Sequence, residues 1–195
     1  MVTDINLKQP QNSGEGGKIH PHKFAMWVAI ASIIMMFAGL TSAYIVKSGQ
    51  PGWVGVKTPT VFWYSTAVIL ISSITIQSAL RAFKQRAMGQ FRVLFLLTLV
   101  LGIVFVILQS TGFKYLWDHG VKFEGAGAGQ FLYIIFGLHA LHVLGGIIAL
   151  FIIAGRQYFG KTRSYSSTPI EVISTYWHFV DILWLYLLIF FIWIG

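Results

Sequence analysis

The 195-residue chain contains no cysteine. Disulfides, thiolate metal sites and cysteine nucleophiles are excluded together, while the compartment stays open, because a chain without Cys is allowed anywhere. Charge is also scarce. Only 10% of residues are charged, against about 25% in an ordinary soluble domain, and the mean hydropathy is +0.71, which rules out a water-soluble globule. Proline is rare and falls inside none of the expected membrane spans, which argues against a small transporter with a midplane site on broken helices. There is no Gly-rich phosphate loop on a strand and no Ser with a positioned base, and the basic connections are too short for a nucleic-acid surface.

What the chain has is length between charges. A helix needs roughly 20 apolar residues to cross a ~30 Å hydrocarbon core. Uncharged runs of that order occupy Phe24 to Val46 and the intervals Lys57 to Arg81, Arg92 to Lys114 and Glu124 to Arg156, and a last run, Val172 to Gly195, is broken only by Asp181. The expected fold is therefore all-α, a polytopic membrane protein built as a bundle of five transmembrane helices at about 24–46, 60–82, 93–115, 130–155 and 171–193. Residues 1–23 are polar, Gly-rich and aperiodic and read as a cytoplasmic tail. The first run is too long for the apolar core of a cleaved signal peptide, about 7 to 15 residues, so it is expected to stay as a span.

Position gives the basic residues their meaning. Lys8, Lys18, Lys23, Arg81, Lys84, Arg86, Arg92, Arg156, Lys161 and Arg163 fall on one side, and Lys47, Lys57, Lys114 and Lys122 on the other. The bias predicts a cytoplasmic amino terminus and an outward Gly195, and Trp53, Trp63, Tyr115, Trp117 and Trp193 fall near the expected outer interface, where amphipathic rings are favoured. Small residues at helical spacing, Ala25/Ala29, Gly39/Ala43 and the pair Ser72 and Ser73, read as helix-packing positions, and Met35–Met36 as filler.

Polar groups within the spans are expensive and therefore informative. The fourth span carries His139 and His142, and the fifth carries Glu171, Ser174, His178 and Asp181 at steps of 3, 4 and 3, which places these four within an arc of roughly 80°. Gly146 and Ala149 continue the stripe of the fourth span, so the two helices could approach closely and let their side chains pair. Three readings stand. His139, His142, His178 and Asp181 or Glu171 could supply N and O ligands for Zn, Fe or Mn, although the Glu-x-x-His motifs of di-metal bundles are absent. A His and carboxylate ladder could relay protons, although the interiors of spans one to three hold nothing to extend it. The favoured reading is a buried hydrogen-bond network that fixes helix register. His20 and His22 in the tail could collect protons at the surface or bind a metal weakly.

The same residues resemble subunit III of the heme-copper respiratory oxidases. FGLHALHVLGG is similar to the family's His-Gly-Leu-His-Val element at His139 and His142, and STYWHFVDILWLYLLIFFIWIG to its carboxy-terminal signature at Tyr176, Trp177, His178, Phe179, Val180, Asp181, Trp184 and Leu185. Arg156-Gln157, Glu171 and Leu108-Gln109 match as well, so the resemblance covers about residues 24 to 195. It implies the five-span bacterial form, in the cell inner membrane, with no catalytic residue, heme, copper or other metal of its own. Heme and copper are expected in partner subunits. The partners implied are subunit I chiefly, with subunit II and other respiratory subunits, in an enzyme that reduces oxygen and pumps protons. Family members hold phospholipid between helices, which suggests head-group contacts at Arg156 and Trp184, and they sustain proton uptake and protect the active site during turnover. Ile33 and Gly112 stand where the family carries acids, which speaks against a relay through those acids. Alternatives are a quinol oxidase subunit III and the related accessory protein of nitric oxide reductases.

Overall fold

The computed structural model describes residues 21–51, 53, 59–120, 128–159 and 167–194. They form five α-helices, α1 (Pro21–Ser48), α2 (Val61–Lys84), α3 (Met88–Asp118), α4 (Ala128–Phe159) and α5 (Thr168–Ile194), each long and apolar enough to cross a membrane. Among the described residues there is no strand. Prolines stand where their missing N–H costs nothing: Pro21 opens α1, Pro59 precedes α2 and Pro169 lies in the first turn of α5.

The helices run past the apolar intervals at several ends. The α2–α3 turn is only three residues long, so the two helices form a tight antiparallel hairpin with extensive packing. α5 lies at the centre and packs on α1, α2 and α4, while α4 also packs on α1 and α3. α1 follows this core from outside, burying one narrow stripe of Ile30, Phe37, Thr41 and Tyr44, whose 7, 4, 3 spacing is that of a helix seam. Its small residues do not form that seam. Ala25, Ala29, Gly39 and Ala43 are all exposed, and a side chain at Gly39 would meet nothing within 4 Å. Met35 is exposed as well.

Aromatic packing fills the middle. Trp184 is fully buried with its ring centroid 5.4 to 5.6 Å from those of Phe62, Phe105 and Phe136, so α2, α3, α4 and α5 meet on one indole. Three glycines allow close approach to buried aromatic rings. A Cβ on Gly112 would lie 2.5 Å from the Phe62 ring, and Cβ atoms on Gly102 and Gly146 would lie 2.8 and 3.1 Å from the Trp177 indole.

Candidate functional site

α2 supplies the hydrogen-bonding surface on which α5 is seated. Its hydroxyls recur at helical spacing as Ser65, Thr66, Ser72, Ser73 and Thr75, mostly on the buried face. The indole N–H of Trp177 donates to Ser72 Oγ and that of Trp184 to Thr66 Oγ1, each at 3.0 Å. His178 also turns to α2: its Nδ1 lies 2.6 Å from Ser73 Oγ and its Nε2 3.2 Å from Gln77 Oε1. An amide oxygen can only accept, so Nε2 carries the proton and the Ser73 hydroxyl donates to Nδ1.

The expected stripe is thus divided among different neighbours. Glu171 sits at the start of α5 and pairs with Lys23 of α1 at 2.7 Å and Lys84 of α2 at 3.1 Å, tying three helices together at one end of the bundle. Ser174 is buried. His142 donates from Nδ1 to the carbonyl of Leu138 in its own helix, and the Tyr176 hydroxyl donates to the His142 carbonyl. His139 and Asp181 are each 2% exposed; among the described residues neither ring nitrogen of His139 has a hydrogen-bond partner, and the Asp181 carboxyl has the Ser73 hydroxyl of α2 as its polar neighbour. The His178 side of α5 turns toward α2, whereas α4 meets α5 through Gly146 against Tyr176 and Trp177 and through Phe136 and His139 against Trp184, and among the described residues no hydrogen bond joins the side chains of His139 or His142 to those of Glu171, His178 or Asp181. Among the described residues no three His, Asp or Glu side chains gather as a metal-ligand group.

Reasoning from the sequence identified Glu171 and His178 but missed their partners Lys23, Lys84, Ser73 and Gln77. Ser73 was visible as a small polar residue at helical spacing, yet such a residue serves packing and hydrogen bonding equally well. His20 and the side chain of His22 lie outside the described residues.

A second feature is a cleft of about 820 Å³ between α1, α4 and α5. Met26, Ala149, Ile153 and Val172 give it apolar walls, and Gly145 and Ala149 keep the α4 side shallow. Arg156, exposed in the last turn of α4, stands at its rim beside Thr168. Met26 and Val172 also border a recess of about 290 Å³ that reaches Lys23 and Glu171, so the same end of the molecule carries both the ion pairs and the mouth of the cleft. Trp184, expected at a head group, is instead enclosed by the aromatic core with its N–H committed to Thr66, which leaves Arg156 as the cation positioned at the cleft.

A family model described as cytochrome c oxidase subunit III matches residues 19–195, which include all five helices. A probable cytochrome c oxidase subunit 3 of Mycobacterium leprae is 32% identical over 81% of this chain and 80% of its own length. Cytochrome c oxidase subunit 3 of Corynebacterium diphtheriae is 30% identical over 83% and 82%. The cytochrome bo(3) ubiquinol oxidase subunit 3 of Pseudomonas aeruginosa is 24% identical over 95% and 94%. A match over this span, joined to five membrane-length helices, leads to one assignment: the chain belongs to the cytochrome c oxidase subunit III family.

Proposed function

We propose that this chain is the non-catalytic subunit III of a proton-pumping heme-copper oxidase in a bacterial inner membrane, where it packs against subunit I and holds phospholipid in the cleft between α1, α4 and α5. Heme and copper belong, in this reading, to the partner subunits. The cleft carries the proposal. Its walls are apolar along the helices, as acyl chains require, and a guanidinium stands at the rim, where it can bind a phosphate through two parallel hydrogen bonds. The basic residues Lys23, Lys84, Arg86 and Arg156 gather toward this end, which supports its assignment to the cytoplasmic side.

Cytochrome c is the electron donor we propose for the complex, because the relatives of M. leprae and C. diphtheriae bear that name and are more similar than the quinol oxidase subunit of P. aeruginosa. Quinol is the second reading. The lipid proposal is tested by Arg156→Leu in the intact complex. Phospholipid retained through purification, measured by mass spectrometry, should fall in the variant, while the helical content of the chain stays the same. Unchanged lipid content would remove Arg156 from the site.

A further inference from the structure

We infer that the small cavity lined by His139 of α4, Gln109 of α3 and Trp184 of α5 is a water-binding site, in which ordered water bridges the imidazole and the amide oxygen. Both polar residues are more than nine-tenths buried. Gln109 Nε2 donates to Ser65 Oγ at 2.9 Å, and Ser65 in turn donates its proton to the Phe62 carbonyl at 3.0 Å. That second bond fixes the amide orientation, because a serine whose proton is already used can only accept, so Gln109 must present its N–H₂ and leave Oε1 toward the bundle. Oε1 and both nitrogens of His139 have no partner among the described residues.

The three atoms form a definite demand. A neutral imidazole offers one N–H and one bare nitrogen, so together with Oε1 the pair presents one donor and two acceptors. Both residues line the same cavity of about 80 Å³. Such a space holds about two waters at ~30 Å³ each. One water can accept from the imidazole N–H, and another can donate to the bare nitrogen and to Oε1. Other occupants fit worse. An acyl chain would leave all three polar atoms unmet, and a cation would find one nitrogen and one amide oxygen with no carboxylate among the lining residues. The rest of the wall is mostly apolar, with Phe105, Phe113, Phe136 and Trp184 shielding the waters and the Ser110 hydroxyl already donating to the Val106 carbonyl, and the His139 ring lies 5.4 Å from that of Trp184 at an interplanar angle of 30°. The result is a polar tie from Ser65 on α2 through Gln109 on α3 and water to His139 on α4, made between side chains that do not bond directly.

The test is a density map of the full chain in its native membrane complex, at a resolution where ordered water is visible elsewhere in the bundle, for the wild type, His139→Phe and Gln109→Leu. One or two peaks within hydrogen-bonding distance of His139 and Gln109 Oε1 are expected in the wild type. His139→Phe should lose all of them, whereas Gln109→Leu should lose the bridging peak and keep the one at the imidazole N–H. If His139→Phe does not assemble, the wild-type map and Gln109→Leu decide. An empty cavity, a direct His139 to Gln109 hydrogen bond, or density for an acyl chain would overturn the proposal.

Discussion

Trp177 shows how single residues set the packing. Its indole is 1% exposed, held by Ser72 through its N–H and accommodated by Gly102 on α3 and Gly146 on α4. A methyl group on Gly102 would lie 2.8 Å from the indole, closer than atoms can approach, and the ring could move away only by straining the Ser72 bond. Gly102→Ala should therefore destabilise the chain by about 1–3 kcal/mol, the usual range for overpacking. Gly39→Ala, in open space on α1, should leave stability unchanged or slightly raised, since Ala favours a helix interior over Gly by up to about 1 kcal/mol. Unfolding midpoints of the purified variants in detergent check both, and equal midpoints would sink the argument. The contrast also explains what the sequence leaves unread at this scale. Glycine is equally visible at Gly39 and at Gly102 or Gly146, but lipid is as apolar as a neighbouring helix, so hydropathy does not tell a lipid-facing glycine from a packed one. For the same reason the polar positions of α5 were legible while their partners were not: Glu171 and His178 stand out by chemistry, and the lysines, serine and glutamine that meet them depend on how the helices are rotated.

Among the elements, the α2–α3 hairpin depends on an unusual closure. α2 ends with the Ala87 N–H donating to the Ala82 carbonyl and the Arg86 N–H donating to the Phe83 carbonyl, the pair of bonds that defines a Schellman cap. Its turning residue requires the left-handed conformation, and here that residue is Arg86 at φ +61°, whereas α3 ends at a glycine, Gly120, at φ +87°. A side chain in this conformation costs roughly 1–2 kcal/mol. Arg86→Gly should recover about 1 kcal/mol of this, seen as a higher unfolding midpoint of the purified chain, while Gly120→Ala should lower it. A lower midpoint for Arg86→Gly would show that its side chain makes a stabilising contact outweighing the strain. Helix existence was legible because the intervals between charges are long; helix ends were less so. α3 begins at Met88 rather than near residue 93 because the tight turn carries the helix through Arg92 before the apolar run starts, and a charged residue in the interfacial layer does not stop a helix.

At the scale of the whole molecule, the bundle joins a rigid aromatic core to an open cleft. α2, α3, α4 and α5 converge on Trp184, while α1 buries a single stripe and meets the rest through α4, α5 and the Lys23 pair with Glu171. Ion pairs partly open to solvent contribute little, roughly 0–1 kcal/mol, so that end of α1 is held mainly by packing. On the function proposed above, phospholipid in the cleft would make the chain a lateral wall of helix and lipid against subunit I, and that proposal sets the form of the defect expected on its loss. No residue here is proposed to hold a redox centre, and the family resemblance places Ile33 and Gly112 where a relay through the spans would use acids. Oxidase prepared without this chain should therefore keep its heme spectrum and its initial rate of electron transfer. The loss should come with use, because on the proposed function an uncovered subunit I would take up protons more slowly and leave its active site open to damage at each cycle. Oxygen consumption followed over many turnovers, with and without the chain, should show the same early rate and then a faster decline in the depleted enzyme. Arg156→Leu should fall between the two if lipid is part of the wall. Heme loss at once on depletion would assign the chain a role in cofactor retention, and equal decline in both preparations would remove the protective role.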